Sequence, residues 1–493
     1  MLFSFENIYR QYINCRRNKR NTINALRFEV DQERELLKLA TELSDHTYRP
    51  GRSVCFFSDK PKLREIFAAD FRDRIVHHVL VNYLESLWEP VFIHTSYACR
   101  QGKGIHKGVS CLEKYIRQIT RNNNCRAWYL QLDISNYFMS IDKETLYFLV
   151  CKRCPDPDAR WLAKTLIFHD CTINPDLRGN PHLLEQLPRH KTLFYTPAGK
   201  GLPIGNLNSQ FFANVYLNEL DQFVKHTLKC CYYLRYCDDF VLLAQERGRL
   251  EEWEEQIRDF LADRLALQLN QKMRRLQPVS NGINFLGYIV RGNYLLVRKR
   301  VVNNFQQKIT LFEKRLLQRK DRYVVFSYER KILDELFAVI SSYLGHCKHA
   351  NSHRLLQKIW QNNDYLHRYF TLDFKTVRLS RRYLMAGTVS TVRHQYGYWQ
   401  KQFKGDIIFM KVGRFIEFYH TPSPTIVKLL RLVPMKDNRR KAKLGFPVAN
   451  VWKYLNQAVE GGYNVLFVGE GKRIGRIKQR DLIWRFECEM RGN

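Results

Sequence analysis

The chain has 493 residues, 45% of them hydrophobic, and carries 81 Lys and Arg against 48 Asp and Glu, for a formal charge of +33. That length supports roughly two to four domains with real cores, so a wholly disordered chain is excluded. The charge exceeds what solubility needs and is spread along the chain, which points to a long groove for a polyanion, nucleic acid first. A basic membrane-surface protein is the competing class, but no lipidation motif or amphipathic anchor supports it.

The N-terminus Met1-Leu2-Phe3-Ser4-Phe5 lacks the apolar region of a signal peptide, and no stretch approaches the roughly 18 apolar residues of a membrane helix. The 13 scattered cysteines, an odd number, read as reduced thiols of a cytosolic protein. Cys151, Cys154, His169 and Cys171 raise the question of zinc. Their segment reads as helical and the second half-site is irregular, which argues against it.

Taken in order, residues 1–50 read as basic helices. Arg16-Arg17-Asn18-Lys19-Arg20 opens a cationic run, and Leu36, Leu37, Leu39, Ala40 and Leu43 recur at helical spacing. A second basic series follows: Lys62, Arg64, Arg72 and Arg74 alternate with apolar residues, and Ser96–Gly104 sets glycines beside Arg100 and Lys103. Glycines next to cations allow close approach to phosphates, although no Walker loop is present.

Residues 126–138 read as an apolar strand ending at Asp133, followed by a turn and a helix near Lys143–Val150. Alone, Asp133 would read as a helix N-cap. A Gly- and Pro-rich loop, Thr196 to Gln210, then feeds a helix starting near Ser209. Gly205 in that loop would let a flat nucleotide lie on the backbone. Next comes Tyr236-Cys237-Asp238-Asp239-Phe240, flanked by Cys231–Leu234 and Val241–Ala244. The flanks read as two short buried strands, with the aspartates at the turn. An isolated pair could be a plain turn. Adjacent carboxylates in so apolar a setting are costly unless a cation neutralises them, and hard oxygen ligands suit Mg²⁺. A strand end at Asp133 beside this hairpin would gather the carboxylates of a two-metal phosphoryl-transfer site. Downstream lie a charged helix at 248–275 with Lys272 near its end, a strand at 283–290 bent at Gly287, and a basic helical region at 300–370.

The ordered set Asp133, Gly205–Gln210, Tyr236–Phe240, Lys272 and Phe285–Tyr288 resembles the reverse transcriptases over residues 1 to about 370. The resemblance implies an α+β right hand. Its expected parts are an N-terminal extension and fingers at 1–125, a palm at 126–295 and a helical thumb at 296–370. Carried over by position, Asp133, Asp238 and Asp239 are the expected metal ligands for two Mg²⁺ ions, with Mn²⁺ as a substitute. Phe138 is the expected gate below the sugar, where a ring would clash with a ribonucleotide 2′-OH. Arg72, Arg74, Arg100 and Lys103 are expected at the incoming triphosphate, and Ile204, Gly205 and Gln210 around the nucleotide. Lys272 is expected near the leaving pyrophosphate, as general acid or plain phosphate contact. Phe285, Leu286, Gly287 and Tyr288 resemble the primer grip.

Many bacterial reverse transcriptases carry Gln-Gly in the loop and Ser-Pro after it. Here the text is Ile204-Gly205-Asn206-Leu207-Asn208-Ser209-Gln210, which looks like the enzymes of diversity-generating retroelements. Those copy a template-repeat RNA with misincorporation at adenines, and the mutated cDNA replaces a variable repeat.

Residues 371–398 read as a connector, and 399–493 as a small α/β domain of strand, helix, Gly-Phe-Pro turn, helix and strand. Phe415-Ile416-Glu417 resembles the Phe-x-Glu motif of the MutS mismatch-recognition domain, which stacks a Phe on a mispaired base. Arg414 and Ile416 depart from that pattern, and the alternative reading makes Phe415 a core residue and Glu417 a surface carboxylate. Lys436, Arg439, Arg440, Lys441 and Lys443 could grip a nucleic-acid backbone.

The expected function is RNA-directed DNA polymerase in a diversity-generating retroelement, in the cytoplasm of a bacterium or phage host, with no membrane partner. Expected partners are a structured noncoding template RNA, dNTPs, the cDNA/RNA heteroduplex and a small basic accessory protein. The alternatives are another bacterial reverse transcriptase, of phage-defence or group II intron-related type, and a catalytically idle RNA-binding scaffold.

Overall fold

A computed structural model describes the chain apart from residues 18–21, 59–61, 181, 383–390, 421, 435–443, 475–476 and 489–493. Two compact units emerge, Met1–Tyr294 and Leu295–Asn493.

The first unit is built around a four-stranded antiparallel sheet in the order Tyr233–Tyr236, Asp239–Ala244, Trp128–Asp133, Arg275–Pro278. Burial runs through consecutive residues of Trp128–Asp133 and Asp239–Ala244. This is the pattern of strands covered on both faces, and it explains the unbroken apolar text of Phe240–Ala244. Helices Ile105–Ile119 and Arg247–Leu265 pack on these strands. The helix Leu207–Gln222 is buried nearly all round, through Phe211, Phe212, Val215, Tyr216, Leu217 and Leu220. Each such side chain contributes roughly 1.5–3 kcal/mol by leaving water. Helix Phe71–Trp88 packs against it.

A smaller sheet pairs Val54–Ser58 antiparallel with Arg64–Ala68 and parallel with Asp176–Arg178. The N-terminal helices are Phe5–Arg16, Ile23–Glu29 and Gln32–Ser44. Leu36, Leu39 and Leu43 are fully buried and Ala40 half-buried, as their spacing predicts, whereas Leu37 of the same series is exposed. Among the described residues no helix is long and apolar enough to cross a membrane. All 13 cysteines are free thiols.

In the second unit, helices Lys299–Leu316 and Arg330–Cys347 pack together, but residues 300–370 are not wholly helical. Between the helices, Leu317–Lys320 and Tyr323–Ser327 form a hairpin. The run Tyr323-Val324-Val325-Phe326 is β-branched and aromatic, which suits a pleated, half-buried surface. Tyr323–Ser327 also pairs antiparallel with Ile477–Cys488. It thereby joins an eight-stranded sheet whose other members include Ile407–Val412, Phe415–Phe418, Leu444–Pro447 and Val465–Ile474. The stretch expected as a connector carries a hairpin, Phe370–Asp373 with Arg378–Arg381, and a helix, Val392–Gln402. Trp399 of that helix is buried, its indole N–H donating to the Arg480 carbonyl at 3.1 Å. The C-terminal piece also holds more strands than expected, and Leu444–Pro447 is a strand rather than a turn.

Candidate active site

Cross-strand register brings the aspartates together. Asp133 ends its strand directly opposite Asp239, and Tyr236 pairs with Asp239 so that Cys237 and Asp238 make the turn. Cys237 takes a positive φ of 57°, a conformation that a non-glycine residue adopts only when its surroundings fix it. Burial and the neighbouring Asp133 charge push the Asp238 carboxyl up to about 6. Burial, opposed by a hydrogen bond from Gln131, pushes Asp239 up to about 7. Asp133 is raised by burial as well, and a hydrogen bond from Asn270 opposes the rise. The Gln131 amide donates to both Asp239 oxygens at 3.0 and 3.2 Å. Asn270 Nδ2 donates to Asp133 Oδ2 at 2.9 Å. Both amides lie outside the sequence expectation, because an uncharged Gln or Asn carries no signal until the fold shows what it faces.

The turn is held from below. Arg235, fully buried, donates to Asp221 through Nε at 2.8 Å and Nη2 at 2.6 Å, and through Nη1 to the Cys237 carbonyl at 2.9 Å. Its remaining contacts reach Ser96 Oγ at 3.1 Å and Asn214 Oδ1 at 3.3 Å. Tyr233 Oη also donates to Asp221, at 2.7 Å. One guanidinium therefore ties the aspartate hairpin to helix Leu207–Gln222 and to the 95–97 segment.

The loop before that helix is pinned to the small sheet. Phe67 N–H donates to the Ile204 carbonyl at 2.8 Å, and Ala69 N–H to Asn206 Oδ1 at 3.0 Å. Gly205 sits at φ 124°, where a Cβ would come within 2.7 Å of Ile66 Cγ2 and of the Phe67 carbonyl oxygen. Glycine is required here by the approach of the Arg64–Ala68 strand, which the sequence did not point to. Gln210 is exposed in the first turn of the helix and Ile204 is half-buried. Phe138 is half-buried, and its carbonyl accepts from Leu202 N–H at 2.8 Å.

The expected triphosphate cations divide. Arg100 is committed elsewhere: its side chain is 5% exposed and bonds Glu89, at 2.7 Å for the closest pair, and the carbonyls of Ile93 and Ser96. Arg72 is paired with Glu42 and stands over the Tyr48 ring. Arg74 Nε donates to the Ala69 carbonyl at 2.8 Å. Lys103 Nζ donates to the His94 carbonyl at 2.9 Å. Positive charges do act on the carboxylates, but from other residues: Lys62 on Asp133, Arg64 and the buried Arg235 on Asp238, and Arg275 on Asp239. The Lys62 and Arg64 side chains are exposed. Lys272 is exposed in a short helical turn, Gln271–Met273, two residues beyond the Asn270 that bonds Asp133. Residues 285–288 form a tight hairpin rather than one bent strand. Phe285 pairs with Tyr288, and Leu286 and Gly287 both take positive φ, at 50° and 90°, the requirement of a type I′ turn.

In the second unit Phe415 is 42% exposed and Arg414 is exposed beside it. Glu417 is 3% exposed and accepts a hydrogen bond from Tyr419 Oη. The structure thus offers an aromatic ring to solvent but withdraws the carboxylate expected beside it, and it reverses the alternative reading of the two residues as well. The basic run from Lys436 to Lys443 lies outside the described residues.

Three half-buried carboxylates, all raised by burial and two of them, Asp238 and Asp239, also by a neighbouring aspartate, are a donor set for hard divalent cations. Among the described residues no His, Cys, Asp and Glu side chains close into a ready-made cage of three. The residues weighed for zinc are not gathered: Cys154 packs in the main core of the first unit, Cys171 with Cys55 and Phe67.

A sheet-borne aspartate set at a hairpin turn, backed by helices, is the arrangement expected of a right-hand nucleotidyl-transferring polymerase. Residues 58–290 match the family model described as Reverse transcriptase (RNA-dependent DNA polymerase), and 390–483 match MutS domain I. The protein is an RNA-directed DNA polymerase. Among similar proteins, Protein YkfC of Escherichia coli (strain K12) is 26% identical over 310 residues, 56% of this chain and 76% of its own length. The group II intron-encoded protein LtrA of Lactococcus lactis subsp. cremoris is 24% identical over 456 residues, 74% of this chain and 71% of its own. Nuclear intron maturase 1, mitochondrial, of Arabidopsis thaliana is 26% identical over 307 residues, 47% of this chain and 42% of its own.

Proposed function

We propose that this enzyme copies an RNA template into cDNA at Asp133, Asp238 and Asp239, and that its C-terminal region holds the resulting duplex. The observation that carries the reading is the register that sets Asp133 across from Asp239 with Asp238 at the adjoining turn. Bound divalent cations, two Mg²⁺ with Mn²⁺ as a substitute, would neutralise these carboxylates and the charge developing on the transferred phosphate. The chain's own residues prepare the site. Gln131 and Asn270 orient two carboxylates, and Arg235 fixes the turn. Lys62 and Arg64 draw the triphosphate, Phe138 bounds the sugar, and Lys272 contacts or protonates the departing phosphate. Residues 285–288 support the primer.

The template in this reading is the repeat RNA of a diversity-generating retroelement, copied with errors at adenines. Ile204 supports it: a hydrocarbon in the nucleotide loop cannot donate the hydrogen bond that Gln would, so geometric selection is weakened. The match to MutS domain I and the exposed ring of Phe415 support a domain that keeps hold of a mismatched cDNA–RNA duplex. The relatives favour a second reading, an enzyme of group II intron-related type, since LtrA is named as group II intron-encoded. Sequencing cDNA made by the purified protein on its cognate RNA separates the two. Errors concentrated at template adenines, reduced by Ile204→Gln, support the first. Evenly accurate cDNA supports the second.

A further inference from the structure

At the end of the catalytic sheet opposite the aspartates lies a cleft of about 370 Å³, with Ala244 in its wall. Register fixes its place. Asp239 faces Asp133 at one end of the strand and Ala244 faces Trp128 at the other, roughly 17 Å away at about 3.3 Å per residue. A nucleotide reacting at the aspartates therefore does not fill the cleft.

The lining is specific in chemistry. Arg121, Lys229 and Arg249 contribute three positive charges, and none of them has a carboxylate partner among the described residues. Glu246 supplies the one negative charge of the lining. Half-buried Tyr232 supplies aromatic surface, and the Arg249 guanidinium lies 5.0 Å over the ring of Trp253, which is itself buried, so that the guanidinium plane is what this stack presents. Helix Arg247–Leu265 starts at the rim, and its N-cap Glu246 makes no side-chain capping bond, so the positive end of a long helix adds to the field. The volume falls within the range of small-ligand pockets, about 300–1,000 Å³. Unpaired cations beside aromatic and guanidinium planes recognise a splayed-out nucleotide, whose base stacks while its phosphates meet the charges. A duplex cannot present a base this way.

We propose that this cleft is a second nucleic-acid site, taking one unpaired nucleotide of the RNA partner, with its base against Tyr232 and the Arg249–Trp253 stack and its phosphates on Arg121 and Lys229. The site docks RNA and does no chemistry. It does not depend on which subfamily reading of the enzyme holds.

The test uses the full chain, first loaded with a blunt RNA–DNA template–primer so that the catalytic cleft is filled. It is then titrated with a short labelled oligo(rU), with an RNA duplex of equal length as control. The triple variant Arg121→Ala, Lys229→Ala, Arg249→Ala is expected to weaken oligo(rU) binding about tenfold or more. It should also lower the slope of log affinity against log salt by about 2, while primer extension on the short template stays unchanged. Equal affinity and equal slope in variant and parent would overturn the proposal. Displacement of oligo(rU) by 5′-UMP at concentrations far below those of the competing RNA phosphates would overturn it in favour of a free-nucleotide site. Should the triple variant fail to fold, a 4-thiouridine oligomer crosslinked to the parent protein decides. Attachment within the peptides bearing Tyr232 or Trp253 supports the site, and attachment only elsewhere rejects it.

Discussion

Arg235 and Asp221 form a fully buried ion pair beneath the Asp238 turn, with Nη2 2.6 Å from Oδ2. The pair matters because the same guanidinium holds the Cys237 carbonyl at 2.9 Å. Removing one partner leaves an uncompensated buried charge, which costs roughly 3–5 kcal/mol. Asp221→Ala is expected to lower the melting temperature sharply. Arg235→Lys keeps the charge but cannot reproduce the fork of donors. It should fold and show a kcat reduced far more than the KM for dNTP is changed. Thermal denaturation with steady-state primer extension checks both.

Protonation of the aspartates links pH to metal and to stability. Asp238 and Asp239 are raised to about 6 and about 7, above the usual carboxylate value of about 3.9. Between about pH 4 and pH 7 the folded state keeps protons that the unfolded chain has lost. The metal-free protein therefore loses stability as pH rises through that window. Cation binding must displace these protons, so Mg²⁺ affinity should strengthen from pH 6 to pH 8. The stabilisation given by Mg²⁺ should grow over the same interval. Melting curves with and without Mg²⁺ measure it, and Asp239→Asn should flatten the trend.

Gly205→Ala tests the joint between loop and strand. The added Cβ would lie within 2.7 Å of the Phe67 carbonyl oxygen, in a backbone conformation at φ 124°. A loss of about 1–3 kcal/mol is expected from the strained backbone alone. Since the loop carries Ile204 and leads to Gln210, dNTP KM should rise in the same variant.

Phe415 and Glu417 should separate cleanly. Phe415→Ala removes an exposed ring and is expected to weaken binding of a mismatched RNA–DNA duplex without a change in melting temperature. Glu417→Gln alters a buried carboxylate bonded to Tyr419, and should move stability more than duplex affinity. Fluorescence anisotropy and thermal melts on the two variants give the comparison.

The aspartates were legible in the sequence because carboxylates are conspicuous in apolar strands, and the strand boundaries followed from Leu130, Leu132 and Phe240–Leu243. The assignment of cations was less legible. Whether an arginine is free depends on partners far along the chain: Arg72 meets Glu42, and Arg100 meets Glu89. Lys62 and Arg64 stood in the same basic series, and only the fold showed that their charges reach the carboxylates. The hairpin at 317–327 was masked by the basic residues around it, and its strand is defined by pairing with residues about 160 positions later, from Trp484 to Cys488. Gly205 stands out in the sequence as a loop glycine, and only the fold shows that a strand closes on it.

The central claim is that Asp133, Asp238 and Asp239 perform RNA-directed DNA synthesis. Its most direct test is dNTP incorporation on an RNA template with a DNA primer, comparing the parent protein with Asp238→Ala at matched folding. Incorporation by the parent and none by the variant is the predicted result. Incorporation that survives Asp238→Ala would place the chemistry elsewhere and contradict the account.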